Sequence, residues 1–236
     1  MRIVHLSDTH NQHNQLSHLP EGDIIVHSGD FSFAGTENEA LDFILFEQIP
    51  SGQKYLTAIL EAMKENRVVE ISYKRFWRNE SLTYSVHPYC VKVFKQRWYM
   101  IAFNPLKDKV LTYSLDRIQG ISLTDDTFLF PEDFNGEQYF HDSFGIIVQE
   151  ELQAENVLLR VRPDKAQYFE TLPLHHSQHI EKAESDHTIF GYYLRPTFDF
   201  IQEILSHGAD VEVLKPQWLR EELKKIIIQQ LQAYQK

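Results

Sequence analysis

Apolar and polar positions change their spacing twice along this chain of 236 residues, dividing it into three blocks. The first block, residues 1–46, holds two short apolar runs, RIVHLSD and DIIVHSGD, each ending in an acid. Such runs predict buried parallel strands whose C-terminal ends carry polar chemistry. The stretch TENEALDFILFEQI then predicts a helix. Thr36 stands as N-cap with Glu39 three residues on, and Ala40, Phe43, Ile44 and Ile49 form the apolar stripe. The PSG at 50–52 breaks this pattern, and QKYLTAILEAMKEN predicts an amphipathic linker helix over residues 47–65.

From residue 66 to 130 the period becomes two. VVEISYKRF, LTYSVHPYCVKVF, RWYMIAFN, KVLTYSLDRI and GISLTDD read as five short strands rich in Val, Ile, Tyr, Phe and Trp. That many strands in so few residues predict a small antiparallel barrel. Residues 145–236 alternate again between the two periods. NVLLRVRP is a strand, DKAQYFETL a helix, SQHIEKAE and HTIFGYYLRP a strand pair, TFDFIQEILSHG a helix and ADVEVLKP a last strand. That β-α-β-β-α-β order is the ferredoxin-like arrangement, and QWLREELKKIIIQQLQAYQ follows Pro216 as a closing amphipathic helix. The predicted fold class is α+β: a short N-terminal β-β-α fragment, a small barrel and a ferredoxin-like domain.

Charge sharpens this division. The chain carries a formal −11, which argues against a protein that grips nucleic acid over its whole surface. Residues 1–46 hold one Arg against seven acids, whereas residues 66–97 hold seven Lys or Arg against two Glu, a local +5. A basic island therefore sits in an acidic chain. Cys90 is the only cysteine, so no intramolecular disulfide forms, which fits a reducing cytoplasm. No stretch approaches the length of a membrane span, so no membrane partner is expected.

Two motifs near the start carry possible chemistry. DTH at 8–10 with GD at 29–30 resembles the opening of calcineurin-like metallophosphoesterases. That resemblance implies metal ligation by Asp8, His10 and Asp30. Two-metal hydrolysis needs a pair of ions, one activating water and both neutralising phosphate. The family's remaining ligands come from a GNH[DE] turn, an isolated His and a GHxH loop, and none of these occurs in the chain. Asp8, His10 and Asp30 are thus expected to hold one divalent ion weakly, as a vestige, with no enzyme activity and no other cofactor. The alternative is a metal-dependent phosphoesterase using those three residues. The LHHSQH cluster reads as a polar loop ahead of an edge strand.

The middle block carries the broader resemblance. RWYMIAFN at 97–104, preceded by EISYKRF and HPYCVKVFKQ and followed by YSLDRIQGI, resembles the WYL domain, with Met100 in place of the family's Leu. That change conserves volume. The third block resembles the C-terminal extension found after WYL domains in bacterial transcriptional regulators. Together the likeness covers about residues 48–236. It implies an Sm-like barrel at 66–130 that senses a nucleic-acid or nucleotide-like anion. In such regulators a helix-turn-helix precedes the barrel; residues 1–50 show no such pattern. The expected function is therefore a ligand-sensing regulatory protein without a recognisable helix-turn-helix, and a homodimer is left open.

At residue level, strand alternation puts His87, Tyr89, Val91 and Val93 on one side of their strand and Pro88, Cys90, Lys92 and Phe94 on the other. Tyr73, His87, Tyr89, Trp98, Tyr99 and Arg117 offer stacking faces, hydroxyls and a guanidinium to a phosphate or base, with Lys92 and Arg97 adding charge at the rim. Because Trp98 and Tyr99 alternate, one of them points into the core. Asp116 and Arg117 form either a structural pair or part of the site.

Overall fold

The computed structural model describes residues 3–6, 24–27 and 51–235, and the chain divides into two units, Met1–Gln48 and Ile49–Lys236. In the first unit β1 (Ile3–Leu6) and β2 (Ile24–His27) pair in parallel, Ile3 opposite Ile24. The helix expected after Thr36, and the metal-ligand candidates Asp8, His10 and Asp30, lie outside the described residues.

The second unit opens with one 3₁₀ turn, Gln53–Tyr55, and α1 (Leu56–Lys64). LTAILEAMK consists largely of good helix formers without Gly or Pro, and it buries Ile59 and Ala62. The period-two segments become β3 (Arg67–Tyr73), β4 (Leu82–Phe94), β5 (Arg97–Asn104), β6 (Lys109–Ser114) and β7 (Ile118–Thr127). They form one antiparallel sheet in the order β6-β5-β4-β3-β7. One face packs Val69, Ile71, Val86, Met100 and Leu115 against α1.

The sheet stays open, which corrects the closed barrel expected from strand number. Its edge strands β6 and β7 are separated only by the 3₁₀ turn Leu115–Arg117 and do not pair. The backbone groups at that junction are taken up by the end of β3 instead. The Ser114 amide donates to the Tyr73 hydroxyl at 3.2 Å, and the Lys74 amide donates to the Arg117 carbonyl at 3.0 Å.

A second correction concerns β4. Pro88 has no N–H for a ladder and favours a bulge. His87 lies opposite Phe103, Pro88 opposite Ala102 and Cys90 opposite Ile101, so Tyr89 is skipped. The parity therefore reverses within the strand. His87 shares the face of Cys90, Lys92 and Phe94, whereas simple alternation groups it with Val91 and Val93.

That face is crossed by the segment 128–154, which contains α2 (Gly136–Phe140). Asn135 caps α2, its side-chain oxygen accepting from the amides of Glu137 and Gln138. Further on, the Thr112 hydroxyl donates to the Ile146 carbonyl at 3.4 Å and the Lys92 ammonium to the Gly145 carbonyl at 2.7 Å.

The last block follows the predicted element order: β8 (Glu155–Val161), α3 (Pro163–Thr171), β9 (His179–Ala183), β10 (Thr188–Leu194), α4 (Phe198–Ser206), β11 (Val211–Lys215) and α5 (Gln217–Tyr234). Its antiparallel sheet runs β11-β8-β10-β9. Val157, Leu159, Phe190 and Tyr192 from the strands meet Phe169, Phe200 and Leu219 from the helices in its core. Phe94, at the end of β4, packs against this second core through Phe144. The two sheets thus share a seam.

Candidate ligand-binding site

The alternation of β5 sorts its side chains. Trp98 packs against the α1-side core and Met100 is fully buried in it. Arg97 and Tyr99 face the other way, Tyr99 being 9% exposed. Sequence alternation left open which of Trp98 and Tyr99 turns to the core; it is Trp98, although both are largely covered.

The Leu115–Arg117 turn supplies the partner groups. Arg97 donates from Nη1 to Asp116 Oδ2 at 3.1 Å, and the Ser114 hydroxyl donates to the other oxygen of the same carboxylate. Burial raises the phenol of Tyr99 above its usual range, opposed by the charge of Arg97. The Tyr73 phenol is raised by burial in the same way, opposed by the hydrogen bond from the Ser114 amide and by the nearby Arg117 guanidinium. Arg117 lies over the Phe76 ring at 4.4 Å, and its buried Nε has no hydrogen-bond partner among the described residues. Tyr73, Arg97, Tyr99 and Arg117 are therefore gathered around Asp116.

Beside them is an open cleft of about 250 Å³ at the seam, lined by Phe94, Arg97, Tyr99, Ile146, Asp199 and Gln202. Its acid is already committed: Asp199 Oδ2 accepts the amides of Ile146 at 2.8 Å and Ile147 at 3.0 Å. Gly145 makes this approach possible. It adopts φ 85°, and a Cβ there would stand 2.5 Å from the Asp199 carboxylate. Lys95, on the same wall as Arg97, is paired with Glu203 at 2.8 Å. Arg97 lines the opening with its side chain partly exposed, one donor being held by Asp116.

The other candidate residues sit elsewhere. His87 stacks on Phe128 with ring centroids 4.6 Å apart and planes within 7°, and burial lowers the pKa of its ring. Tyr89 belongs to a cluster with Phe103, Phe128, Phe130 and Phe134; burial and then Asp133 raise its phenol. Lys92, bound to the Gly145 carbonyl, also lies 3.8 Å from the Phe140 ring centroid, and burial lowers its pKa. These three hold down the crossing segment.

Residues not singled out from sequence also belong near the site: Ser114, and the loop residues Arg75, Phe76 and Trp77. A readable signal for the loop exists in KRFWR at 74–78, where cations flank two adjacent aromatic rings. Metal-ligating side chains also meet at Glu184, Asp186 and His187, whose ligand atoms fall within 4.8 Å of one another. Both carboxylates there are already engaged, Glu184 by Lys182 and Asp186 by His187. No helix among the described residues is long and apolar enough to cross a membrane.

Residues 54–123 match the WYL domain, and residues 153–229 match the WCX domain. A UPF0046 protein of Caenorhabditis elegans is 43% identical over 44 residues, 18% of this chain and 16% of that protein. Proteasome accessory factor B/C of Arthrobacter aurescens has a TM-score of 0.34 and 18% identity, covering 74% of this chain and 26% of its own. The crystal structure of a CRISPR Cas-related protein has a TM-score of 0.50 and 14% identity, covering 78% of this chain and 53% of its own. This chain spans about a sixth of the first, a quarter of the second and half of the third, and the likeness to the third is one of fold. Residues 54–123, which carry α1 and the first sheet, are a WYL domain, and residues 153–229, which carry the second sheet, are a WCX domain.

Proposed function

We propose that this chain is a ligand-sensing regulatory protein of WYL type, a binding module and not an enzyme, whose ligand is a nucleic acid or a nucleotide-like anion. In this reading the open sheet with α1 is an Sm-like fold left unclosed, and the βαββαβ layer is ferredoxin-like. The observation that carries the proposal is the bonding of Arg97 to Asp116 with Arg117 close by, beside the largely buried hydroxyl-bearing rings of Tyr73 and Tyr99. The Asp116 carboxylate orders Arg97 and the Phe76 ring lies against Arg117, and two guanidinium groups near one carboxylate leave a net positive charge. A phosphate then meets pre-positioned forks, which is the geometry that favours Arg over Lys. Burial also pushes the lone thiol of Cys90 up to about 11, so it stays protonated and inert at cytoplasmic pH.

The test is titration of the full chain with a labelled oligothymidylate about twelve nucleotides long. Affinity should fall steeply between about 50 and 200 mM salt, because phosphate contacts release counterions. Arg97→Ala and Arg117→Ala should each weaken binding about tenfold and flatten the slope of log K against log salt by about 0.7. Wild-type affinity in both variants would reject the site.

A further inference from the structure

The hairpin loop between β3 and β4 does nothing for either core, yet it carries two large aromatic side chains. Phe76 is 68% exposed and Trp77 is 72% exposed. Lys74, Arg75 and Arg78 surround them, and no acid occurs until Glu80. The loop is anchored at its base, where the Lys74 amide donates to the Arg117 carbonyl at 3.0 Å, and it turns through a bond from the Arg78 amide to the Arg75 carbonyl at 3.0 Å.

Each ring has a guanidinium against it. Arg117 lies 4.4 Å from the Phe76 centroid, and Arg75 lies 5.7 Å from that of Trp77. A cation on one face orders the ring and leaves its other face to solvent. This arrangement argues against insertion into hydrocarbon, since each ring would carry a guanidinium with it. It suits a flat, electron-rich ligand attached to anions: a base offers its π-face to the open side of the ring, and its phosphate falls among the cations. Every base has such a face, so the contact is tolerant of sequence.

We propose that the β3–β4 loop is a stacking platform for single-stranded nucleic acid, with bases resting on Phe76 and Trp77 and flanking phosphates held by Lys74, Arg75 and Arg78. This rests on the nucleic-acid reading above and adds a subsite distinct from the Arg97–Tyr99 cleft. A mononucleotide needs only the Arg97–Arg117 cluster, whereas an oligomer gains the platform.

The experiment compares thymidine monophosphate with the oligothymidylate on the full chain, by competition and fluorescence anisotropy. The wild type should bind the oligomer more tightly than the monomer. The double variant Phe76→Ala/Trp77→Ala should lose about tenfold in oligomer affinity per ring, and Trp77→Ala alone, whose ring lies against Arg75 and not Arg117, should leave monomer affinity unchanged. Trp77→Phe, which keeps a stacking face, should restore most of the loss. Both side chains are exposed, so the double variant should melt at the wild-type temperature. In a Trp98→Phe/Trp218→Phe background the oligomer should quench the remaining Trp77 emission. Wild-type oligomer affinity in the double variant overturns the platform, while the Arg97→Ala result still judges the cleft. Failure of the wild type to bind either ligand overturns both. Adsorption to anionic phospholipid vesicles that depends on Phe76 and Trp77, with oligomer binding independent of them, also overturns it in favour of a lipid surface.

Discussion

His175 is 8% exposed and packs against His176, with ring centroids 4.1 Å apart. Its Nε2 lies 2.9 Å from the His141 carbonyl and so carries the proton. Its Nδ1 accepts from the Ser177 amide at 3.3 Å and lies 2.8 Å from the Ser177 hydroxyl. A second proton on Nδ1 would set it against that amide. Burial first, and then His176, pull the ring from its usual 6.5 to about 4. Between those values the unfolded chain takes up a proton that the folded chain refuses. Stability contributed by this group is therefore complete above about pH 6.5, is lost as pH falls toward 4, and stays constant below. The full span amounts to about 3 kcal/mol. His175→Gln should lower stability at neutral pH and remove that part of the slope when urea midpoints are measured from pH 7 to 4. An unchanged slope would show that other groups carry the acid sensitivity.

At the scale of the element, β4 and β5 are joined by Lys95 and Gln96 alone, with Phe94 paired to Arg97. Both loop residues have positive φ, 44° and 59°, the backbone of a type I′ connection whose twist matches the flanking strands. Neither is a residue that favours this region, and Lys95 is needed for its bridge to Glu203. Gln96→Gly should therefore stabilise the chain by about 0.5–1 kcal/mol after allowing for the freer unfolded glycine. That raises the thermal midpoint by about 1–4 °C; a lower midpoint would mean that the Gln96 side chain makes a contact worth more than the strain. The same hairpin shows what was legible beforehand. Period two in LTYSVHPYCVKVF and RWYMIAFN locates both strands, because side-chain alternation is a local property. The bulge at Tyr89 was hinted at only by Pro88, because pairing depends on the partner strand. Likewise, Phe128, Phe130 and Phe134 show no period of their own, since they fold over a sheet face instead of forming one. LHHSQH reads as polar surface, yet His175 is buried by the segment crossing beside it. At the site, Arg97 and Arg117 could be singled out by type, but the bond of Arg97 to Asp116 depends on a turn that no spacing rule specifies.

Across the whole second unit, the WYL and WCX domains are joined by contacts of several kinds. Phe144 sits between Phe94 and Phe200, with centroids 5.7 Å away on each side and rings edge to face. Around it lie the Lys92 bond to Gly145, the Asp199 bonds to Ile146 and Ile147, and the pair of Lys95 with Glu203. The proposed cleft opens at this same seam, so a ligand bound as proposed would touch both domains at once. Continuous apolar packing across the seam should make the two sheets unfold together. Phe144 is 9% exposed, and Phe144→Ala should destabilise the chain by about 3–5 kcal/mol through lost transfer energy and the cavity left behind. It should also separate the two halves. In single-tryptophan chains, urea transitions reported by Trp98 on β5 and Trp218 on α5 should coincide when Phe144 is present and diverge in Phe144→Ala. Coincident transitions in that variant, with a loss below about 1 kcal/mol, would show that the polar bonds of the crossing segment, and not the ring stack, hold the domains as one.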